Sequence, residues 1–168
     1  MPTEAEWEYA ARGGLDKKPY VWGDETPSDT VLHANLWRGD FPHKNTALAG
    51  FEHTSPVKTF KPNGYGLYDV AGSVWEWCSD WYSRDLYSTR LSKGVIVNPS
   101  GPDRCNNPAR PFALERVQRG GSYLCNDAYC SRYRPSARHG GSFDSGMSHV
   151  GFRCVTTKAL WEKRADSP

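Results

Sequence analysis

The feature that most constrains the fold is that turn-forming and aromatic residues crowd the chain while helical periodicity is almost absent. The 168 residues include sixteen Gly and twelve Pro, together with seven Trp, nine Tyr and six Phe. Gly and Pro concentrate in turns, and aromatic side chains can fill a core without long amphipathic helices. The sequence therefore predicts a single turn-rich domain with short elements, and it excludes a helical bundle.

One helix is signalled clearly, at the start of the chain. Thr3 and Glu6 fit a capping box, in which each side chain accepts a hydrogen bond from the backbone amide of the other residue. Trp7 and Ala11 share one helical face, and Gly13 supplies a stop. We predict a helix over residues 4–12, with a structural role.

The other elements are expected to be short. Dense Gly, Pro and polar residues predict loops with short strands over 17–60 and a surface excursion over 83–113. The aromatic stretch 75–82 predicts a short strand with a bend. Alternation of apolar or aromatic residues with polar ones predicts strands at 116–123, 130–134 and 151–155.

Charge and apolar runs exclude two classes of partner. The chain has 21 Lys and Arg against 19 Asp and Glu, a net charge of +2, which is too balanced for nucleic acid or a membrane surface. The longest apolar run, at 94–97, is far too short to span a bilayer. Met1 leads directly into the helix cap without an apolar leader, so we expect a cytoplasmic location.

Cys125 and Cys130 are the main candidates for chemistry. They follow a Gly-Gly turn within a run of arginines and tyrosines, and guanidinium groups favour the thiolate form. A pair of thiolates is a suitable ligand set for Cu(I). The spacing differs from the Cys-x2-Cys of zinc ribbons and thioredoxin-type motifs, so a local disulfide or two unrelated buried thiols stays open.

Several blocks occur in an order that resembles the formylglycine-generating enzyme (sulfatase-modifying factor) family, over about residues 1–155. They are PTEAEWEYAARGG (2–14), WG (22–23), ANLW (34–37), PNGYGLYD (62–69), GSVWEW (72–77), GGSYLCNDAYCSRYR (120–134), Arg138 and GFRC (151–154). The resemblance implies an α+β fold, a C-type-lectin-like variant with little regular secondary structure. It assigns residues 1–157 to a domain lacking the family's N-terminal portion, and 158–168 to a polar tail.

The resemblance also implies an activity, the oxidation by O2 of a cysteine in a Cys-x-Pro-x-Arg segment of a sulfatase polypeptide to Cα-formylglycine. Cys125 and Cys130 would be the Cu(I) ligands. Ser122 would hydrogen-bond an oxygen species or the substrate thiolate, with a simple turn hydroxyl as its alternative. The residues predicted to bind or enclose the substrate are Trp75, Arg132, Arg134, Arg138 and His149.

Each of these substrate residues has a plainer interpretation. Trp75 could be a core aromatic, and the three arginines could form an exposed cationic face. His149 stands where the family commonly has Asn, so it could also be a surface residue or an extra metal ligand.

The family implies Ca2+ sites, which suit long loops with few aliphatic residues. A first site would use the carboxylates of Asp69 and Glu76 with the backbone oxygens of Gly72 and Val74. A second would use Asn35, Leu36 and Phe51, but Ala49 stands where the family has an acidic ligand. The plainer interpretation of Asp69 and Glu76 is a turn acid and a salt-bridge acid.

Two other functions stay open on the same scaffold. A non-catalytic ligand- or protein-binding module is one, because fold does not fix function. Self-association that completes the core of a chain lacking part of its domain is the other. We expect a polypeptide partner, and neither nucleic acid nor a membrane.

Overall fold

Short elements joined by long ordered loops make up the fold. The computed structural model describes residues 1–90 and 94–156, so the tail predicted at 158–168 lies outside the described residues. In these ranges no helix is long and apolar enough to cross a membrane. The helices are α1 (Glu4–Arg12) and α2 (Leu86–Arg90), and the strands are β1 (Gly39–Asp40), β2 (Lys44–Asn45), β3 (Trp75–Trp81), β4 (Glu115–Arg119), β5 (His139–Ser142) and β6 (Val150–Gly151).

Four strands form the central sheet, in the order β5-β4-β3-β6. Strand β4 is antiparallel to β3 and β5, whereas β3 and β6 are parallel. Strands β1 and β2 form a separate antiparallel ribbon. The β3–β4 register shifts between Trp77 and Trp81, which confirms the predicted strand with an irregularity.

Helix α1 confirms the prediction over 4–12. The Thr3 hydroxyl accepts from the Glu6 amide at 3.2 Å, and the Glu6 carboxylate accepts from the Thr3 amide at 2.8 Å. Gly13 ends the helix with φ 58°, in the left-handed region. A Cβ at Gly13 would lie 2.7 Å from the Gly64 nitrogen. Both the left-handed backbone conformation and this close approach therefore require glycine at this position.

The later strand predictions need correction. Strand β4 stops at Arg119, because Gly120 and Gly121 follow with φ 85° and 70° and turn the chain. The strand predicted at 130–134 is wrong, since these residues lie in loop and turn without strand pairing. Strand β6 is only Val150–Gly151 instead of a strand over 151–155. Helix α2, inside the predicted excursion, was not anticipated.

A buried ion network joins α1 to the sheet. Arg119, on β4, is fully buried and donates at 2.5 Å to Glu4 and to Glu8. Glu4 also binds Arg138, through Nε at 2.7 Å and Nη2 at 2.6 Å. The backbone amide of Glu4 donates to Asp80 at 2.8 Å. The network therefore connects the first helix, two central strands and the segment before β5.

Candidate functional site

The Gly-Gly turn after β4 delivers the cysteine segment to the core. A Cβ at Gly120 would lie 3.0 Å from the Val70 carbonyl oxygen, and one at Gly121 would lie 2.9 Å from Tyr133. Two glycines thus allow the chain to pass between two neighbouring segments. Beyond them, the backbone amide of Cys125 donates to the Ser122 carbonyl at 2.9 Å.

The two predicted cysteines converge. Cys125 Sγ and Cys130 Sγ lie 2.8 Å apart, and both are free thiols with 2% and 7% of their surface exposed. A disulfide has a sulfur–sulfur distance near 2.0 Å, so the pair is an unbonded dithiol. The alternative of two unrelated buried thiols does not hold for this geometry.

The two thiols have pKa values that are shifted in opposite directions. The hydrogen bond from Cys125 is the main cause that lowers the pKa of Cys130 to about 6, while burial opposes it. The backbone N–H and the positive charge of Arg132 lower that pKa further. The same sulfur–sulfur hydrogen bond, reinforced by burial, raises the pKa of Cys125. At neutral pH the pair therefore consists of one thiol and one thiolate.

This donor set fits a soft monovalent ion. Two convergent sulfurs, one already ionised, match the preference of Cu(I) for thiolates. Among the residues that the structure describes, no group of three or more His, Cys, Asp or Glu side chains is arranged to hold a metal.

Ser122 is buried beside the dithiol. Its hydroxyl oxygen accepts from the Leu124 backbone amide at 3.3 Å, and its carbonyl accepts from Cys125. Both bonds stabilise the local turn, which agrees with the plainer interpretation of this residue. The hydroxyl proton is left to donate elsewhere.

The predicted arginines separate into two groups. Arg132 and Arg134 are exposed, and their outward orientation comes from the turn, because the strand expected to align them is absent. The Arg134 guanidinium lies 5.6 Å from the ring centroid of Tyr20. Arg138 instead binds both carboxylate oxygens of Glu4 and the Ser83 carbonyl. Its guanidinium therefore stabilises the fold through these bonds, and the prediction that Arg138 binds the substrate is not supported.

A cavity of about 150 Å³ brings Trp75 and His149 together with His139. The Trp75 and His139 rings lie 5.2 Å apart, and Trp75 is buried. Burial lowers the pKa of both histidines, and the Arg132 charge lowers that of His139 further. Sequence reasoning missed His139, because one histidine in a Gly-rich stretch carries no spacing signal.

The first predicted calcium site is only partly assembled. Glu76 is occupied, since its carboxylate accepts from the Trp7 indole at 2.6 Å and from Arg153 Nε at 2.6 Å, with a second bond from Arg153 Nη2. Asp69 accepts from the Lys58 amide through Oδ2. Its Oδ1 atom is buried and has no hydrogen-bond partner within the described part of the chain. An orphaned carboxylate oxygen fits a bound cation, whereas Glu76 acts as a salt-bridge acid.

The second predicted site has lost its charge. The Asn35 amide donates to the His53 carbonyl at 2.7 Å, and the Asn35 carbonyl accepts from the Ser73 amide at 2.9 Å. Leu36 is a buried core residue, and Phe51 is partly exposed. With Ala49 in place of an acid, these residues supply only uncharged oxygen ligands and lack the carboxylate that strengthens Ca2+ binding.

The fold is one that is known from solved structures. Treponema denticola variable protein 1 superposes with a TM-score of 0.57 at 33% identity, over 90% of this chain and 45% of that one. The predicted α+β fold of the sulfatase-modifying factors is thereby confirmed. The model of the sulfatase-modifying factor enzyme 1-like domain matches residues 1–158, and the chain belongs to this family.

Two curated relatives show the range within the family. The formylglycine-generating enzyme of Streptomyces coelicolor is 50% identical over 160 residues, covering 95% of this chain and 47% of the relative. The inactive C-alpha-formylglycine-generating enzyme 2 of Mus musculus is 38% identical over 160 residues, covering 94% and 42%. The chain thus spans about half the length of these relatives.

Proposed function

We propose that this chain supplies the dithiol of a copper-dependent oxidase that converts a cysteine in a Cys-x-Pro-x-Arg segment of a sulfatase polypeptide to Cα-formylglycine, with O2 as oxidant. The observation that carries the proposal is the 2.8 Å approach of Cys125 and Cys130, two buried free thiols. Relatives named formylglycine-generating enzyme support the same reaction class. Bound Cu(I) would supply the O2 chemistry that protein side chains lack.

The residues of the chain have separable roles in this proposal. Cys125 and Cys130 bind the ion, and the lowered pKa of Cys130 makes one thiolate available without a separate base. Arg132, exposed next to the dithiol, attracts the substrate thiolate and contacts the substrate backbone. Trp75 and His149 line the cavity that also contains His139, and in this proposal that cavity encloses part of the bound substrate.

The electron count defines the assay. Oxidation of the substrate –CH2–SH to a thioaldehyde releases two electrons, and hydrolysis then gives the aldehyde and hydrogen sulfide. Reduction of O2 to water takes four electrons, so two more must come from an added thiol reductant. The assay therefore contains Cu(I), dithiothreitol, air and a Cys-x-Pro-x-Arg peptide.

Copper titration and mass spectrometry of that peptide test the proposal together. Wild-type protein is expected to bind one equivalent of Cu(I) and to form aldehyde, which a hydroxylamine probe captures. Cys125→Ser and Cys130→Ser should each abolish both signals. Cys154→Ser is the matched control, because Cys154 is exposed and lies outside the dithiol. Full activity in either dithiol variant would exclude this mechanism.

A non-catalytic module is the second candidate, and the relative in Mus musculus that is named inactive favours it. In that case the chain would bind the peptide without turnover. Peptide affinity in the absence of aldehyde, in protein shown to carry Cu(I), identifies this function. Cys125→Ser would then leave peptide affinity unchanged.

We also propose that Asp69 binds Ca2+ with the backbone oxygens of Gly72 and Val74. The orphaned Asp69 Oδ1 supports this cation. Glu76 is left out of the ligand set, because Arg153 and Trp7 already occupy its carboxylate.

A further inference from the structure

The loop between the two cysteines is ordered in part by its own backbone, since the amides of Tyr129 and Cys130 both donate to the Asn126 carbonyl. Asn126 accepts at its carbonyl from the Cys130 amide at 2.6 Å, and at its side-chain oxygen from the Ala128 amide at 2.9 Å. The Asn126 side chain also donates to the Gly39 carbonyl at 3.3 Å. These bonds fix the turn that begins at Cys125.

A side-chain hydrogen bond joins this loop to the chain beyond Cys130. The Tyr133 hydroxyl donates to Asp127 Oδ1. Asp127 lies three residues before Cys130, and Tyr133 lies three residues after it. The bond therefore closes a ring of chain around Cys130.

Tyr133 is a rigid end point for this bond. It is 1% exposed, and its ring lies nearly parallel to those of Tyr20 and Trp22, at 6.0 and 6.3 Å. Gly121 packs directly on its backbone, where a Cβ would lie only 2.9 Å away. The hydroxyl position is thus set by core packing, and the core is close-packed.

Asp127, in contrast, is exposed on a three-residue turn. An exposed carboxylate is ordinarily solvated and mobile, and ordering it costs conformational entropy. Its capture by a buried tyrosine transmits the rigidity of the core to the loop that carries Cys130.

We propose that Asp127 and Tyr133 form a positioning pair, which holds Cys130 Sγ within contact of Cys125 Sγ. The proposal concerns the dithiol itself, and only its consequence for catalysis rests on the function proposed above. Loss of the pair should let Cys130 sample other orientations, which lowers the effective concentration of one sulfur at the other.

The equilibrium with glutathione measures that effective concentration without copper. In it the two thiols lose two electrons and two protons to glutathione disulfide, and a protein disulfide and two glutathione molecules form. All proteins carry Cys105→Ser and Cys154→Ser, so that apart from buried Cys78 only the dithiol remains. Cu(I) affinity, measured by competition with a colorimetric chelator, is the second readout.

Tyr133→Phe and Asp127→Ala are each expected to lower the glutathione equilibrium constant and the Cu(I) affinity by about tenfold, the usual size for groups that orient metal ligands. The double variant should lose no more than either single variant, because both remove the same bond. Asp127→Asn should keep both the glutathione equilibrium constant and the Cu(I) affinity close to the wild-type values, since its amide oxygen still accepts the hydrogen bond. The control is Tyr129→Phe, on the same loop and 73% exposed, which should change neither readout.

Unchanged equilibria in Asp127→Ala, or additive losses in the double variant, would overturn the proposal. Should Tyr133→Phe fail to fold, the contrast between Asp127→Ala and Asp127→Asn decides alone. If the wild-type protein bound no Cu(I), the proposed oxidase activity would be excluded. The glutathione equilibrium would still test whether Asp127 and Tyr133 position Cys130.

Discussion

Two buried polar clusters in this domain differ in whether a positive and a negative group are paired within them. Around Arg119, the guanidinium faces the carboxylates of Glu4 and Glu8, and Glu4 is bound again by Arg138. At the dithiol, the hydrogen bond from Cys125 and the charge of exposed Arg132 lower the pKa of Cys130. The charge-paired cluster holds the fold together, although Arg119 Nε has no hydrogen-bond partner within the described residues, whereas the dithiol keeps a thiolate lone pair that can bind a ligand. Burial of polar groups therefore does not by itself distinguish a cluster that stabilises the fold from one that can bind a ligand.

The largest expected effect on stability lies in the ion network. Glu4→Gln removes the charge that Arg119 and Arg138 share, and breaking a buried pair typically costs about 3–5 kcal/mol. Urea unfolding followed by tryptophan fluorescence measures it. Glu52→Gln, at an exposed glutamate, is the control and should stay within about 0.5 kcal/mol. Equal stability of the two variants would contradict the structural role of the network.

The dithiol should instead show its effect in reactivity and in pH dependence. Because the pKa of Cys130 is lowered to about 6, its thiolate should form as pH rises through that value. The unfolded thiol ionises near pH 8.5, so the folded state releases its proton first, and Cys130 ionisation adds stability as pH rises between these values. Ultraviolet thiolate absorbance and iodoacetamide labelling measure the titration.

With Cys105→Ser and Cys154→Ser in the background, one thiol should label rapidly at pH 7, and Cys130→Ser should remove that phase. Cys78 provides the comparison, since burial raises its pKa and leaves it fully enclosed. Rapid labelling of Cys78 at neutral pH, or no labelling of Cys130, would contradict the assignment of Cys130 as the reactive thiolate.

Two arginines sharpen the comparison from the binding side. Arg132→Ala is expected to weaken binding of a Cys-x-Pro-x-Arg peptide by about tenfold, because it removes an exposed cation from the proposed site. Arg138→Ala should lower stability and leave peptide affinity nearly unchanged in the folded fraction. Fluorescence anisotropy and urea unfolding on both variants separate the two outcomes. The opposite pattern would return Arg138 to the binding site.

The smallest effect concerns Asp69. Ca2+ at about three times its dissociation constant would stabilise the protein by about 0.8 kcal/mol, a rise in melting temperature of a few degrees. Asp69→Asn should remove most of this calcium response, while Glu52→Gln should keep it. A calcium response that persists in Asp69→Asn would place the cation elsewhere.

The sequence predicted local features better than distant ones. The helix over 4–12 was confirmed because its capping box acts between residues three apart. The strand expected at 130–134 failed because its two buried residues, Cys130 and Tyr133, lie three positions apart on a turn and not on alternate positions of a strand. Side-chain patterns report burial, and here burial comes from Tyr133 turning inward next to Gly121.

At the site, family resemblance identified the cysteine pair, and the structure supplied its proximity and unequal ionisation. The commitment of Arg138 to Glu4 joins residues 134 positions apart, and no local pattern predicts such a pairing. His139 escaped notice for a related reason, since its significance comes only from the neighbours in its cavity.

Glu76 has a consequence for how the domain comes apart. Its carboxylate binds Trp7 near one end of the described chain and Arg153 near the other. Peeling either end away, by a protease or by mechanical force, must break bonds to this same central side chain. A change that displaces the Glu76 carboxylate should therefore loosen the segments around Trp7 and Arg153 at the same time.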